Sequence, residues 1–149
     1  MSTLKISSSA FLQNGPIPPK YTCDGADVNP PLSFDNVPSV AKTLALIVDD
    51  PDAPAGTWVH WVVWNIDAGT KAIREDSLPD NAVQGMTDFR KPGYGGPCPP
   101  RGTHRYFFKV YALDVSLALG PNATKSQLER AMQSHIVAQA ELVGVYTRK

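Results

Sequence analysis

The stretch LALIVDDPDAPAGTWVHWVVWNI, residues 44–66, decides how the rest of the chain is read. It opens as an apolar run over residues 44–48 and turns acidic and proline-rich at Asp49, Asp50, Pro51, Asp52 and Pro54. After Gly56 it is apolar again over residues 58–66. Two buried strands joined by a loop fit this pattern. Successive strand residues point to opposite faces, so Leu46, Val48 and Asp50 are expected on one face of the first strand. Trp58, His60, Val62 and Trp64 are expected on one face of the second. A carboxylate and an imidazole then sit where buried strands meet a loop. Because a desolvated carboxylate needs a partner or a ligand, Asp50 and His60 are the first candidates for a site.

The same pattern recurs later in the chain. The segment RKPGYGGPCPPRGT, residues 90–103, is a Gly/Pro loop that feeds HRYFFKVYALD, residues 104–114, the clearest strand of the sequence. His104, Tyr106, Phe108 and Val110 fall on one face of it. If these strand ends converge, two imidazoles, a phenol and the backbone N–H groups of Gly95 and Gly96 make a small anion site, with Asp50 orienting a histidine or sharing a proton with the ligand. A phosphate or a phosphorylated head group suits that chemistry. The plainer account of His60 and His104 is a sheet-end histidine bonded to a backbone carbonyl. For Asp52, capping the proline-rich turn stands beside a direct role. Trp58, Trp61 and Trp64 are first of all core residues, with Trp58 near enough to the loop to line a pocket.

Elsewhere the signals are structural. Residues 4–6 read as a first strand, and residues 7–21 as irregular. NPPLSF, residues 29–34, reads as at best an edge strand that admits a cis bond before Pro30 or Pro31. Residues 67–82 are polar without a period, and residues 83–89 suggest a short strand. Thr124 with Gln127 three residues on forms a capping box. Leu128, Met132, His135, Gln139 and Leu142 then follow one helical stripe, which Gly144 is expected to stop.

With 149 residues the chain is expected to form one domain, and 14 prolines with 11 glycines favour a loop-rich β protein. The fold expected is mainly β, a sandwich with helical additions. Fourteen basic residues balance 14 acidic ones, which argues against nucleic acid as a partner. No segment approaches the ~20 apolar residues of a membrane span, and the N-terminus shows no secretory pattern, so a cytoplasmic, non-spanning protein is expected. Two histidines and a carboxylate suggest a metal set only by residue type; no HExxH spacing supports it, and neither a metal nor any other cofactor is assigned. No GxSxG elbow is present. Cys23 and Cys98 lie in two loops: a cytoplasmic setting favours free thiols, while proximity of the loops would allow a reversible disulfide that braces the cleft wall.

DDPDAP, WVHW and GPCPPRGTHRY, together with SSSAF, IPPKYTCDG, NPPLSF, VQGMTDF, FFKVYALD and ELVGVY in the same order, resemble the phosphatidylethanolamine-binding protein family, in its bacterial and archaeal Raf-kinase-inhibitor-like branch. The resemblance covers nearly the whole chain. It implies a sandwich of two antiparallel sheets with Greek-key features, a C-terminal helix and short peripheral helices. It also implies an anion pocket lined by Asp50, His60, His104 and Tyr106, with walls from Pro54, Trp58, Gly96 and Pro99. Eukaryotic relatives bind phosphatidylethanolamine head groups and inhibit kinases, and some prokaryotic ones are described as protease inhibitors. Cys98 stands where many eukaryotic members have glycine. The chain ends just after the expected helix, so a more open pocket, without a covering C-terminal helix, is expected.

The expected function is therefore a non-enzymatic binding protein for a phosphate-like anion or phospholipid head group. The rivals are a kinase or serine-protease inhibitor working through a protein interface, and a hydrolase using His and Asp as acid and base. The free edges of a sandwich also suggest a homodimer.

Overall fold

A computed structural model describes residues 3–148. Nine strands and one α-helix follow in chain order: β1 Lys5–Ser7, β2 Gly15–Pro16, β3 Leu32–Asp35, β4 Thr43–Asp50, β5 Trp58–Asp67, β6 Ala72–Ile73, β7 Val83–Gln84, β8 Thr103–Leu113, α1 Lys125–Met132 and β9 Ile136–Thr147. They form a three-stranded sheet, β1-β3-β6, and a six-stranded sheet, β2-β9-β8-β4-β5-β7. Pairing is antiparallel throughout except for the two-residue β2, which joins β9 in parallel. The chain between β5 and β8 leaves the large sheet for the small one at β6 and returns at β7, so that β8 lies on the far side of β4 from β5.

The large sheet is covered on both faces, which is why β4 is buried along its whole length rather than at alternate residues. Leu44, Leu46, Val48, Phe108, Val110 and Leu142 pack against Leu4, Ile6, Leu32, Phe34 and Ile73 between the sheets. Ala45, Ile47, Val62 and Trp64 pack on the opposite face under Leu128 and Met132 of α1. Consecutive carboxylates at the end of β4 are thereby sent to different sides. Asp49 turns to the α1 face and is held by Lys109 and Lys125 at 3.2 and 2.8 Å, whereas Asp50 continues the inter-sheet face of Leu46 and Val48.

A β-bulge alters the expected face of His60. Val48 pairs with Trp61 and Asp49 with Val59, leaving His60 as the extra residue. Trp61 and Val63 therefore point between the sheets while Val62 and Trp64 point toward α1. The four alternate residues of β5 do not share one face, and His60 lies on the inter-sheet side near Tyr106.

The capping box forms as expected: Gln127 N–H donates to Thr124 Oγ1, and Thr124 N–H donates to Gln127 Oε1. The helix is shorter than its apolar stripe. It ends at Met132, Ser134 adopts a left-handed φ of 70°, and residues from Ile136 onward form the longest strand. Only Leu128 and Met132 of the stripe belong to the helix. In β9 the buried positions are Ala138, Leu142, Gly144 and Tyr146, a two-residue period. His135 lies beyond the helix and donates from Nδ1 to Asp114. Tyr146, beyond the stop expected at Gly144, also belongs to β9. The strand expected at residues 83–89 reduces to Val83–Gln84 and an isolated bridge between Met86 and Pro92. No peptide bond among the described residues is cis, so the prolines at 30 and 31 follow trans bonds.

Candidate functional site

The inter-sheet core ends in an open cavity of about 200 Å³ where the end of β4, the start of β5 and the start of β8 meet. Asp50, His60, His104 and Tyr106 line it, together with Pro54, Trp58 and Pro99. These three strand ends lie side by side because β4 pairs with both neighbours, placing Asp50 opposite Trp58 and Asp49 opposite Phe107.

Asp50 is 3% exposed. A lone buried carboxylate would cost several kcal/mol, and two donors offset that cost. His104 donates from Nδ1 to Asp50 Oδ2 at 2.7 Å, and the Asp52 N–H donates to Asp50 Oδ1 at 2.7 Å. The first bond leaves the Nε2 edge of His104 for the pocket.

His60 is gripped from the other side. Its Nδ1 donates to the Gly95 carbonyl at 2.7 Å, and the Gly95 N–H donates back to the His60 carbonyl at 3.0 Å. Burial pushes its pKa below the usual histidine value, and the pull of the Gly95 carbonyl and of Asp50 does not reverse the shift, so the ring is neutral at pH 7. Phe89 packs edge-on against both Trp58 and His60, with ring centroids 5.5 and 5.2 Å apart.

Tyr106 is 1% exposed, and its hydroxyl has no hydrogen-bond partner among the described residues. Burial first, and then the nearby Asp50 charge, raise its pKa far above the usual range. The Asp50 carboxylate also contributes as a nearby acceptor for the phenol, although the contact falls outside full hydrogen-bonding geometry. The Tyr106 ring lines the cavity, and its buried hydroxyl is the donor of the site without a partner among the described residues.

Three expectations are corrected by this geometry. Gly95 and Gly96 do not offer their N–H groups to an anion, because Gly95 donates to His60 and Gly96 donates to Asp27 Oδ1 at 2.7 Å. Gly96 is not on the cavity wall at all. It is glycine because a Cβ there would stand 2.3 Å from the Tyr21 carbonyl oxygen and 2.8 Å from Thr22 Cα. Asp52 is also off the wall. Its carboxylate accepts from the Arg105 backbone N–H, Nε and guanidinium at 3.0, 2.9 and 2.9 Å, and that pairing lowers its pKa to about 2.

Sequence reasoning missed Phe89, Ala53 and Pro100 as lining residues. Phe89 lies at the end of VQGMTDF, one of the motifs that carried the resemblance, so a signal was present there. Cys98 also lines the cavity and is bonded to Cys23. Of the two states open in the sequence, the structure has the disulfide. The rim on which Cys98 sits is tied to residues 21–27 by the Tyr94 hydroxyl donating to the Tyr21 carbonyl at 2.8 Å and by the Cys23 N–H donating to the Pro97 carbonyl at 3.1 Å.

No helix among the described residues is long and apolar enough to cross a membrane. Among the same residues no group of three or more His, Cys, Asp or Glu side chains is arranged to hold a metal.

The described residues form a two-sheet β fold with one α-helix and a cleft at the strand ends, the architecture of a small mainly β domain, and comparison with known proteins specifies its family. Residues 7–147 match the family model described as phosphatidylethanolamine-binding protein, and the chain belongs to that family. A UPF0098 protein of Methanothermobacter thermautotrophicus is 49% identical over 150 residues, spanning 97% of this chain and 99% of the relative. The UPF0098 protein PH1269 of Pyrococcus horikoshii is also 49% identical, over 99% of this chain and 78% of its own length. Among solved structures, the phosphatidylethanolamine-binding protein homologue CT736 of Chlamydia trachomatis superposes with a TM-score of 0.96 at 44% identity, covering all of both chains. E. coli YbcL, described as a member of the mammalian family, superposes with a TM-score of 0.93 at 32% identity over 99% of this chain and all of its own.

Proposed function

We propose that this protein is a non-enzymatic binding protein whose cleft takes a small oxyanion, a phosphate or a phosphorylated head group. The observation that carries the reading is the Tyr106 hydroxyl. It is buried, protonated and without a partner at full hydrogen-bonding geometry, at the end of a ring that lines a cavity of about 200 Å³. A donor kept in that state marks the place of an acceptor supplied by a ligand. The imidazole edge of His104, backed by Asp50, faces the same space, and a His–carboxylate pair can keep a proton beside an oxyanion. Pro54, Trp58, Phe89, Pro99 and Pro100 supply an apolar mouth suited to the stem of a head group. Membership of the phosphatidylethanolamine-binding protein family supports ligand binding in general terms.

Titration calorimetry of inorganic phosphate and phosphorylethanolamine against the wild type and Tyr106→Phe tests the reading. The substitution removes one hydroxyl and keeps the ring, so folding stability should hold or rise while anion affinity falls by on the order of 1–3 kcal/mol, the value of a hydrogen bond to a charged group. Equal affinity in both proteins would remove Tyr106 from the site. Absence of saturable binding by the wild type would remove the anion reading.

A further inference from the structure

The cleft wall made by Cys98, Pro99 and Pro100 lies on a segment that is fastened at both ends and unbonded between them. Upstream, the Tyr94 hydroxyl donates to the Tyr21 carbonyl, Gly95 exchanges two bonds with His60, and the Gly96 N–H donates to Asp27. The Pro97 carbonyl accepts from the Cys23 N–H. Downstream, Thr103 pairs with Thr147 in the sheet, and the two hydroxyls bond each other. Residues 98–102 make no hydrogen bond among the described residues, so the Cys23–Cys98 disulfide is the one bond that ties this span to the body. At its downstream end Gly102 bends the chain with a φ of 73°, and no atom lies within 4 Å of where a Cβ would stand. The disulfide is also within reach of solvent. Cys98 is exposed and Cys23 is half-buried, and exposed disulfides are the labile ones, because an incoming thiolate can meet them.

We infer that the Cys23–Cys98 bond is a reversible, thiol-controlled latch on the cleft. In the oxidised protein it holds the Pro99 and Pro100 wall in place, and a dithiol reductant releases that wall while the fold stays intact. A thiolate of the dithiol attacks the exposed Cys98 Sγ, the S–S bond breaks, and Cys23 leaves as a thiolate that takes a proton from water. The second thiolate of the reductant then attacks the mixed disulfide, and Cys98 leaves and is protonated in turn. The protein disulfide gains two electrons and becomes two thiols, and the dithiol becomes a disulfide. Oxidation by a disulfide reagent runs the same steps backwards. The opening stays local because neither hydrophobic core contains Cys23 or Cys98, and the anchors at residues 94–97 and at Thr103 are non-covalent. That opening weakens phosphate binding is the part of the inference that rests on the anion reading above; the opening itself does not.

The test compares the wild type oxidised, after dithiothreitol at neutral pH, and after re-oxidation. Cys23 and Cys98 are the only cysteines of the chain, so the reductant has no other target. Alkylation and mass spectrometry without denaturant should find no free thiol, then both, then none. Trypsin should cut the Arg101–Gly102 bond at least about tenfold faster in the reduced protein, since cleavage follows the population of the open segment. Far-UV circular dichroism should not change. Calorimetry should find phosphate bound at least about tenfold more weakly after reduction, with recovery on re-oxidation. A bond that resists the dithiol in the folded protein, equal cleavage at Arg101 in both states, or loss of the β signal on reduction would each overturn the latch, the last by making the disulfide a staple of the whole fold. Faster cleavage with equal phosphate affinity would overturn its coupling to the cleft. Faster cleavage with no phosphate binding in either state would uphold the latch and overturn the anion reading.

Discussion

His104 and Asp50 come from strands that are neighbours in the sheet and 54 residues apart in the chain, and their side chains meet at 2.7 Å with both nearly buried. The pairing fixes which edge of His104 faces the cleft and gives Asp50 the partner its burial demands. His104→Ala removes the imidazole edge that faces the cleft and strips buried Asp50 of one of its two bonds. Phosphate affinity should fall by on the order of 1–3 kcal/mol, as expected for a hydrogen bond to a charged ligand, with a loss of folding stability because buried Asp50 keeps a single partner. Calorimetry and urea unfolding of the same preparation separate the two effects. Unchanged phosphate affinity in a folded variant would take His104 out of the site.

Asp52 and Arg105 hold the loop after β4 in place from outside the cleft. Asp52 passes this anchoring to the site through its own N–H, which bonds Asp50. Its carboxyl is held at about 2 by Arg105, below its ordinary value of 3.8. The folded-state pKa is depressed, so the stabilising contribution is present above about pH 3.8 and is lost as pH falls through about 2. Arg105 is more than half exposed, so solvent screens the pair. Asp52→Asn should lower the thermal midpoint at pH 7, and the wild-type and variant midpoints should draw together toward pH 2. A gap that stays constant over that range would mean that the carboxylate charge contributes nothing.

Much of the cleft was legible because strand ends are legible. Alternation over residues 104–110, and apolar runs broken by Pro and Gly at residues 51–56 and 90–103, place Asp50, His60, His104 and Tyr106 at the mouths of strands. What the sequence does not carry is tertiary. The face of His60 depends on a bulge defined by its pairing with β4, and local alternation cannot show it. The Gly95 and Gly96 N–H groups look free until His60 and Asp27 arrive from elsewhere in the chain. The β9 misreading has a local cause. Leu128, Met132, His135, Gln139 and Leu142 satisfy a helical stripe, while Ala138, Leu142, Gly144 and Tyr146 satisfy a two-residue one. The capping box at Thr124 tips the reading to helix, and the β-branched Ile136, Val137, Val143, Val145 and Thr147 are what favour the strand.

The cleft rim depends on one covalent tie. Between the Pro97 carbonyl, which accepts from Cys23, and Thr103, which pairs with Thr147 in the sheet, residues 98–102 make no hydrogen bond among the described residues. Pro99 and Pro100 have no N–H to give. The Cys23–Cys98 disulfide holds this segment against the body, and Cys98, Pro99 and Pro100 are cleft residues. The bond closes a sequence separation of 75 residues, and loss of a native disulfide of this span should cost about 2–5 kcal/mol. The double variant Cys23→Ser, Cys98→Ser should therefore unfold at lower urea, and its phosphate affinity should drop as the rim loses its fixed position. Wild-type protein treated with a dithiol reductant should behave the same way, which distinguishes loss of the bond from the introduced serines. Because His60 is held by Gly95, upstream of the freed segment, its imidazole NMR signals should stay near their wild-type positions. A variant that keeps both its urea midpoint and its phosphate affinity would show that the rim is held by packing alone.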